Sequence, residues 1–509
     1  MTKGLYMVRR TRAAAVFACA ALLFLALSGA VAAAAPAHVP HAGPLNQAFV
    51  DSLHDPLAGV LGRRPAPITV KIAPAARARL SARAAAALPS RYDLRPLGRL
   101  SPIRDQRTLG TCWAFSNLAA VESRLLPAQK WDFSEDNMIT RSGYGPFPAP
   151  YDAYSWGGWD YMAVAYLTRW AGPVNEKDDP YPKSSDPSAA APKVNAVRKH
   201  VQGAVMLPGR TGVLDNDLIK QMVVQYGALS VGMFYENSYD TFRRFVGERA
   251  PSYYCDRAAG ETSYSGTEVT ENHGVDIVGW DDAFPTTRFS ARGSGQPPGD
   301  GAFLVRNSWG ASYGDRGYFW VSYYDRGFAF GPCTSYSRVD GVTSYRRNYQ
   351  YDTLGWTRSL GYTDVADPSV AWGANRFTAK ASERIVAVGF YAPVASTRYQ
   401  VWAGPSLESL SLRGEGALSL PGFATVDLGT PLAVTKGKRF VVAIRVVAPG
   451  STQPIAIEAG STSDAWLSHA VARAGQSFMR YGDADEWLDL AMDTENPGAN
   501  VCLKAYARR

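Results

Sequence analysis

The chain has 509 residues, 46% hydrophobic and 19% charged, enough for two or three buried domains and the wrong balance for a disordered or fibrous chain. Its net charge of +8 sits at the front: residues 1–35 hold Lys3, Arg9, Arg10 and Arg12 and no acid, and residues 36–88 hold six bases against Asp51 and Asp55. From Pro89 onward 43 bases meet 43 acids, so the electrostatic case for a nucleic-acid partner disappears.

In chain order, a basic start is followed by an apolar run from Ala13 to about Leu27 and small residues through Ala35, the layout of a secretory signal peptide over 1–35. The run with its alanines is also long enough to serve as a retained anchor. No later segment offers a membrane span, so after signal cleavage the expectation is a membrane-free, secreted or cell-envelope protein. Residues 36–88, rich in Ala, Pro and Arg and nearly without aromatics, read as a linker or pro-segment that cannot bury a core. The texture turns globular at LPSRYDLR (88–95). Within GTCWAFSNLAAVESRLL (110–126), Ala114, Leu118, Val121 and Leu125 recur at helical spacing. HGVDIVGW (273–280) and AFLVRNSW (302–309) read as strands. From residue 345 onward, RIVAVGFYA, RYQVWAG, FATVDLG, RFVVAIRVV, PIAIEA and VCLKAYA recur between turn residues and predict a β-sandwich domain over 345–509, separate from a domain over 89–340.

Beyond the signal, four cysteines remain: Cys112, Cys255, Cys333 and Cys502. A thiol is a nucleophile only as thiolate, and Cys112 opens the predicted helix, whose N-terminal N–H groups favour an anion. A histidine could take its proton and a nearby donor could hold an oxyanion. His38, His41 and His54 lie in the linker and His469 in the β domain, which leaves His200 in the charged stretch KVNAVRKH and His273 at the start of an apolar strand.

Three ordered segments, spread over about 250 residues together with LPSRYDLR and FSEDNM (133–138), carry a family resemblance. QRTLGTCWAF (106–115) resembles the nucleophile segment of the papain-type cysteine peptidases, NHGVDIVGW (272–280) their histidine strand, and FLVRNSWGASYGDRGYFWV (303–321) their asparagine segment. The resemblance implies a two-lobed α+β papain-like fold followed by an all-β sandwich, and a cysteine endopeptidase acting on protein or peptide substrates with no metal or cofactor. By match to the motifs, Cys112 is the nucleophile, His273 the general base and acid, Asn307 the residue that orients the imidazole, and Gln106 the oxyanion donor beside the Cys112 N–H. Trp309 matches the indole that shields the His–Asn hydrogen bond, and Gly157 and Gly158 the glycine pair whose backbone meets an extended substrate. Gly232 and Gly274 match the residues bounding the pocket for the side chain that precedes the scissile residue; both being glycine, the pocket is expected to be roomy, uncharged and selective for large apolar or aromatic groups over Arg and Lys.

Where the family has a cysteine three residues before the nucleophile this chain has Leu109, and a long loop (281–300) separates the histidine and asparagine strands. The resemblance implies a disulfide between Cys255 and Cys333, leaving Cys502 as a buried small hydrophobe. The segment before Leu88 lacks the family's helical inhibitory pattern, so autoinhibition is not implied. YDTLGW (351–356) and NVCLKAYA (500–507) resemble the lectin-like modules of some bacterial papain-type peptidases, which makes cell-surface carbohydrate a candidate partner by family name alone. Two further readings stay open: a binding protein whose peptidase domain is incidental, and a transpeptidase that passes the acyl group to an amine.

Overall fold

The nucleophile segment becomes the helix Cys112–Leu125, and burial extends far beyond the stripe that its spacing predicts: nearly every side chain along it is covered. It packs against the strands Leu229–Met233, His273–Asp281 and Cys333–Gly341 and against the helices Glu135–Thr140 and Asp160–Thr168. A buried charge on such a helix needs partners. Glu122 has them, in Arg104 at 2.8 Å and the Phe133 N–H at 2.8 Å. Ser134 caps the next helix, its hydroxyl accepting from the Asn137 N–H at 2.9 Å. The structure, a computed structural model, describes residues 38–54, 61–85, 88–182, 196–236, 251–263, 266, 268–289, 294–461 and 465–508; the expected signal peptide lies outside them. No described helix is long and apolar enough to cross a membrane.

Among the described residues, twelve strands form one sheet that runs through both halves of the sequence. Its order is Arg347–Tyr349, Leu503–Arg508, Glu383–Ala392, Gly422–Val434, Lys199–Leu207, Cys333–Gly341, Leu229–Met233, His273–Asp281, Ala302–Arg306, Tyr318–Ser322 and Ser252–Tyr253, with Arg91–Asp93 paired onto the His273 strand. The sheet continues across the expected domain boundary: Gly422, Phe423 and Ala424 pair antiparallel with Val205, Ala204 and Gly203. Gly422 has a φ of +132°, and a Cβ there would stand 2.1 Å from the Ala204 carbonyl oxygen, so this crossing demands glycine. Lys199–Leu207, which begins in the charged stretch KVNAVRKH, is fully buried. His200 is sandwiched there, stacked at 3.7 Å on Trp170, which in turn stacks at 5.3 Å on Tyr506 from the other half. Burial pushes the His200 imidazole down to about 4, against the nearby Asp340 charge.

The β-rich half closes as a sandwich. A six-stranded sheet, ordered Ser411–Leu418, Thr397–Gly404, Arg439–Val447, Val370–Thr378, Ser477–Arg480 and Leu488–Asp489, lies over the near end of the long sheet. Along Arg439–Val447 the period of two is plain: Val442, Ile444 and Val446 enter the inter-sheet core while Val441 and Ala443 join a second cluster around Trp372.

Residues 38–54 and 61–85 depart most from expectation. They form the helices Gln47–His54 and Pro74–Ala85 and a two-residue strand, His41–Ala42, paired with Gly361 and Leu360 of the sandwich. Phe49, Ala66, Ile68 and Val70 enter a core that also holds Trp113, Leu118 and Val121 of the nucleophile helix and Trp356, Trp466 and Cys502 of the β-rich half. Too apolar-poor to build a core, the segment adds single side chains to one assembled by others; each buried Phe, Ile or Val contributes roughly 1.5–3 kcal/mol.

The expected disulfide is also absent. The Cys255 thiol donates to the Arg257 carbonyl at 3.7 Å and the Cys333 thiol to the Gly331 carbonyl at 3.5 Å, each within its own segment. Cys502 is buried, as expected.

Candidate active site

Three elements converge on Cys112. The helix start supplies the sulfur, fully buried. The strand His273–Asp281 supplies the Gly274 N–H, which donates to Cys112 Sγ at 3.0 Å, so the thiol sits beside the residue that follows His273. The turn after Ala302–Arg306 supplies Asn307, whose Oδ1 lies 2.8 Å from His273 Nε2 and accepts the Ser308 N–H at 2.8 Å. An amide oxygen only accepts, so Nε2 carries a hydrogen and Nδ1 is the ring's proton acceptor. Trp309 stacks on the imidazole at 4.5 Å and 20°, and Tyr235 abuts Trp309 edge-on at 4.6 Å.

Gln106 is held by a residue the sequence reading passed over. Ser308 Oγ donates to Gln106 Oε1 at 2.6 Å, which fixes the amide with its nitrogen as the free donor. Gln106 Nε2 donates to the Leu109 carbonyl at 2.9 Å and to the Leu61 carbonyl at 3.0 Å. The second acceptor belongs to the segment before the peptidase region. A carbonyl of the chain itself thus rests on the donor that the motif assigns to the oxyanion.

The next residues cross the cleft. Gly62 has a φ of +110°, and a Cβ on it would come within 2.5–2.6 Å of the Gly110 carbonyl carbon and the Thr111 and Cys112 nitrogens. The Gly62 carbonyl accepts from the Gly158 N–H at 3.0 Å, the Arg64 N–H donates to the Gly158 carbonyl at 2.9 Å, and the Arg63 N–H donates to the Asn272 carbonyl at 3.3 Å. Arg63 and Gly158 pair in parallel. Gly157 supplies a positive φ of +80°, and a Cβ on Gly158 would strike the Trp113 indole at 2.7 Å. Arg64 donates to the Trp156 carbonyl at 2.7 Å and its guanidinium covers the Trp156 ring at 4.0 Å.

The pocket bounded by Gly232 and Gly274 is charged, contrary to expectation. The two glycines face each other across adjacent strands. A Cβ on Gly232 would stand 2.3 Å from the Glu271 carboxylate and 2.6 Å from Arg63 Nε. Arg63 fills the space: it pairs with Asp160 at 2.8 Å and Glu271 at 3.2 Å, and donates to the Pro332 carbonyl at 3.1 Å. Burial works against the Arg63 charge, but the two carboxylates outweigh it and hold its pKa above the ordinary value. The strand carrying Gly232 contributes no acid. The acids, Asp160 and Glu271, come from positions two residues beyond Gly158 and two before His273.

Under this cover Cys112 and His273 are both fully buried. Burial pushes the Cys112 thiol up to about 12, against the Gly274 N–H and the Arg63 charge. Burial likewise pushes His273 down to about 4, against the Asn307 and Leu61 oxygens, which favour the protonated ring. Burial thus works against a thiolate–imidazolium pair while residues 61–64 cover the site.

Residues 88–333 match the model of the papain family cysteine proteases and residues 348–507 that of the lectin-like domain. A cysteine protease of Blomia tropicalis is 27% identical over 239 residues, 46% of this chain and 61% of that protein; a cathepsin L-like peptidase of Aedes aegypti is 29% identical over 234 residues, 45% and 58%. The match thus spans less than two thirds of these relatives. The structure of the cysteine protease and lectin-like domains of Cwp84, a surface-layer associated protein of Clostridium difficile, superposes with a TM-score of 0.73 at 23% identity, covering 92% of this chain and 98% of that one. Cwp84 after propeptide cleavage gives 0.68 at 24%, covering 82% and 100%. Residues 88–333 of this chain are a papain-type cysteine peptidase domain, followed by a lectin-like domain over 348–507.

Proposed function

We propose that this chain is a secreted cysteine endopeptidase made as a closed precursor, in which residues 61–64 block the cleft. The observation that carries the reading is the Leu61 carbonyl on Gln106 Nε2 at 3.0 Å, where the scissile carbonyl of a substrate would be polarised. The blocking chain runs backward. In a substrate, the residue that enters the pocket precedes the one whose carbonyl is attacked; here Arg63, in the pocket, follows Leu61. Backward binding presents a carbonyl to the donors without a productive line of attack, which is why a cleft full of peptide stays uncut.

When the segment leaves, water reaches the site and the Cys112 proton passes to His273 Nδ1. The thiolate attacks the peptide carbonyl, and Gln106 Nε2 and the Cys112 N–H hold the resulting oxyanion. The C–N bond breaks as His273 returns the proton to the leaving amine, leaving a thioester on Cys112. A water, deprotonated by His273, hydrolyses it. Asn307 keeps the imidazole in the tautomer this cycle needs, and Trp309 covers the bond between them. Secretion is supported by the basic and apolar N-terminus and by the likeness to a surface-layer associated protein; a carbohydrate role for the second domain is supported only by its family.

The test is digestion of a peptide library by the full chain before and after limited proteolysis of residues 61–88, with products weighed. Internal cleavages that appear only after proteolysis, and not with Cys112→Ala, are expected. Cleavage by Cys112→Ala, or equal cleavage by the untreated chain, would overturn the reading.

A further inference from the structure

The pocket beside Cys112 holds two carboxylates whose only ion pairs among the described residues are to Arg63. Their other contacts are neutral. Asp160 Oδ1 accepts from Asn117 Nδ2 at 2.9 Å and Ser230 Oγ at 3.2 Å, and Glu271 Oε1 accepts from the Gly331 N–H at 2.8 Å. Asp160 is about 1% exposed and Glu271 14%. When residues 61–64 leave, two converging carboxylates remain in a largely buried cavity with no cation. Such a pair is strongly unfavourable unless a cation returns.

We infer that this pocket selects an arginine side chain on the substrate residue preceding the scissile one, and that Arg63 is its built-in stand-in. The inference rests on the endopeptidase reading above and names its substrate class. Arg63 shows what fits: Nε donates to Glu271, one terminal nitrogen to Asp160 Oδ1 and the other to Asp160 Oδ2 and the Pro332 carbonyl. Three edges of a planar fork are thereby read at once. An ammonium is a single point and reaches fewer of these acceptors, so lysine is accepted less well. Leucine or phenylalanine leaves both carboxylates unpaired. The absent side chains at Gly232 and Gly274 make room: a Cβ at 232 would displace both Glu271 and the guanidinium. The backbone places the side chain as well, because Gly158 and Asn272 grip the chain on either side of Arg63, in line with Gly62 over Cys112.

Two measurements test this. The first uses the full chain activated by limited proteolysis and peptides that differ only at the residue before the cleaved one. The expectation is that kcat/KM falls in the order Arg, Lys, Leu, with Arg over Leu on the order of 100-fold. Glu271→Gln, which keeps the Gly331 contact, should cut that ratio about tenfold. Leu or Phe favoured over Arg, or a ratio indifferent to Glu271→Gln, overturns the assignment. The second measurement needs no activity. Arg63→Ala in the full chain should lower Tm by roughly 3–5 °C. Ethylguanidinium should restore part of that saturably, and neutral ethylurea should not. Rescue should vanish in Arg63→Ala with Glu271→Gln. Equal effects of the two compounds would sink the pocket. Rescue by ethylguanidinium together with no peptide cleavage would sink the endopeptidase reading instead and leave the pocket standing.

Discussion

The cleft and the segment that fills it are made of opposite kinds of sequence. The walls carry their functional groups on rigid elements: Cys112 on a helix start covered on all sides, His273 at the head of a nine-residue buried strand, Asn307 just past a strand end. The filler is poor in apolar residues, yet Phe49 wedges edge-on against Trp159 at 5.2 Å and Trp466 at 5.9 Å, and its two central arginines are buried against acids and carbonyls. Composition decides whether a segment can build its own core. It does not decide whether the segment can borrow one, and a borrowed core is the natural design for a part that must later leave.

The largest effect that separates walls from filler is chemical. Cys112→Ala should lower turnover of the activated enzyme by about 10⁶-fold. It should leave the seating of residues 61–64 unchanged, read as an unaltered protease-nicking pattern of the full chain. Gln106→Ala comes next, with kcat down about 10²–10³-fold in the activated enzyme. In the full chain the same change removes the donor to Leu61, so it should also speed nicking; faster nicking without slower turnover would mean that Gln106 serves the filler alone.

The third effect is a pH dependence. Burial in the closed form pushes the His273 pKa down to about 4, whereas the unfolded chain has the ordinary value near 6.5. Between these values the unfolded chain binds a proton that the closed form refuses, so the closed fold weakens as pH falls from 6.5 toward 4, by up to about 3 kcal/mol from this group. His200 adds a slope of the same sign over the same window. Urea midpoints of the full chain should drop across it, and His273→Gln should remove part of the drop. A midpoint flat from pH 7 to 4 would contradict the buried neutral imidazole. The smallest effect concerns the seam between the halves: Gly422→Ala should destabilise by about 1–3 kcal/mol, seen as one cooperative transition at lower Tm. Two separated transitions would show that the shared sheet does not couple them.

Much of the fold was legible because its strands are long apolar runs between turn residues, and the motifs of the nucleophile, histidine and asparagine segments follow one another in order along the sequence. The strand Lys199–Leu207 was hidden because its charged first residues are buried by contacts that no local pattern encodes, Lys199 over Trp131 at 5.1 Å and His200 under Trp170. The pocket's charge was hidden for a related reason: Asp160 and Glu271 lie on different elements and become a pair only in three dimensions. The cysteines misled through family habit, since Cys255 and Cys333 each bond within their own turn. Leu61, Gly62 and Arg63 gave no signal, for a strip of Leu-Gly-Arg in an Ala- and Pro-rich stretch looks like any linker until something grips it.

The central claim is that Cys112 is silent because residues 61–64 lie across it. It is tested most directly by the rate at which iodoacetamide alkylates Cys112 at pH 7 in the full chain and in Gly62→Val, whose side chain would meet the Thr111 and Cys112 backbone within about 2.6 Å. The account predicts almost no labelling of the wild-type chain and rapid labelling of Gly62→Val, lost again in Gly62→Val with His273→Ala; equal labelling of wild type and Gly62→Val would contradict it.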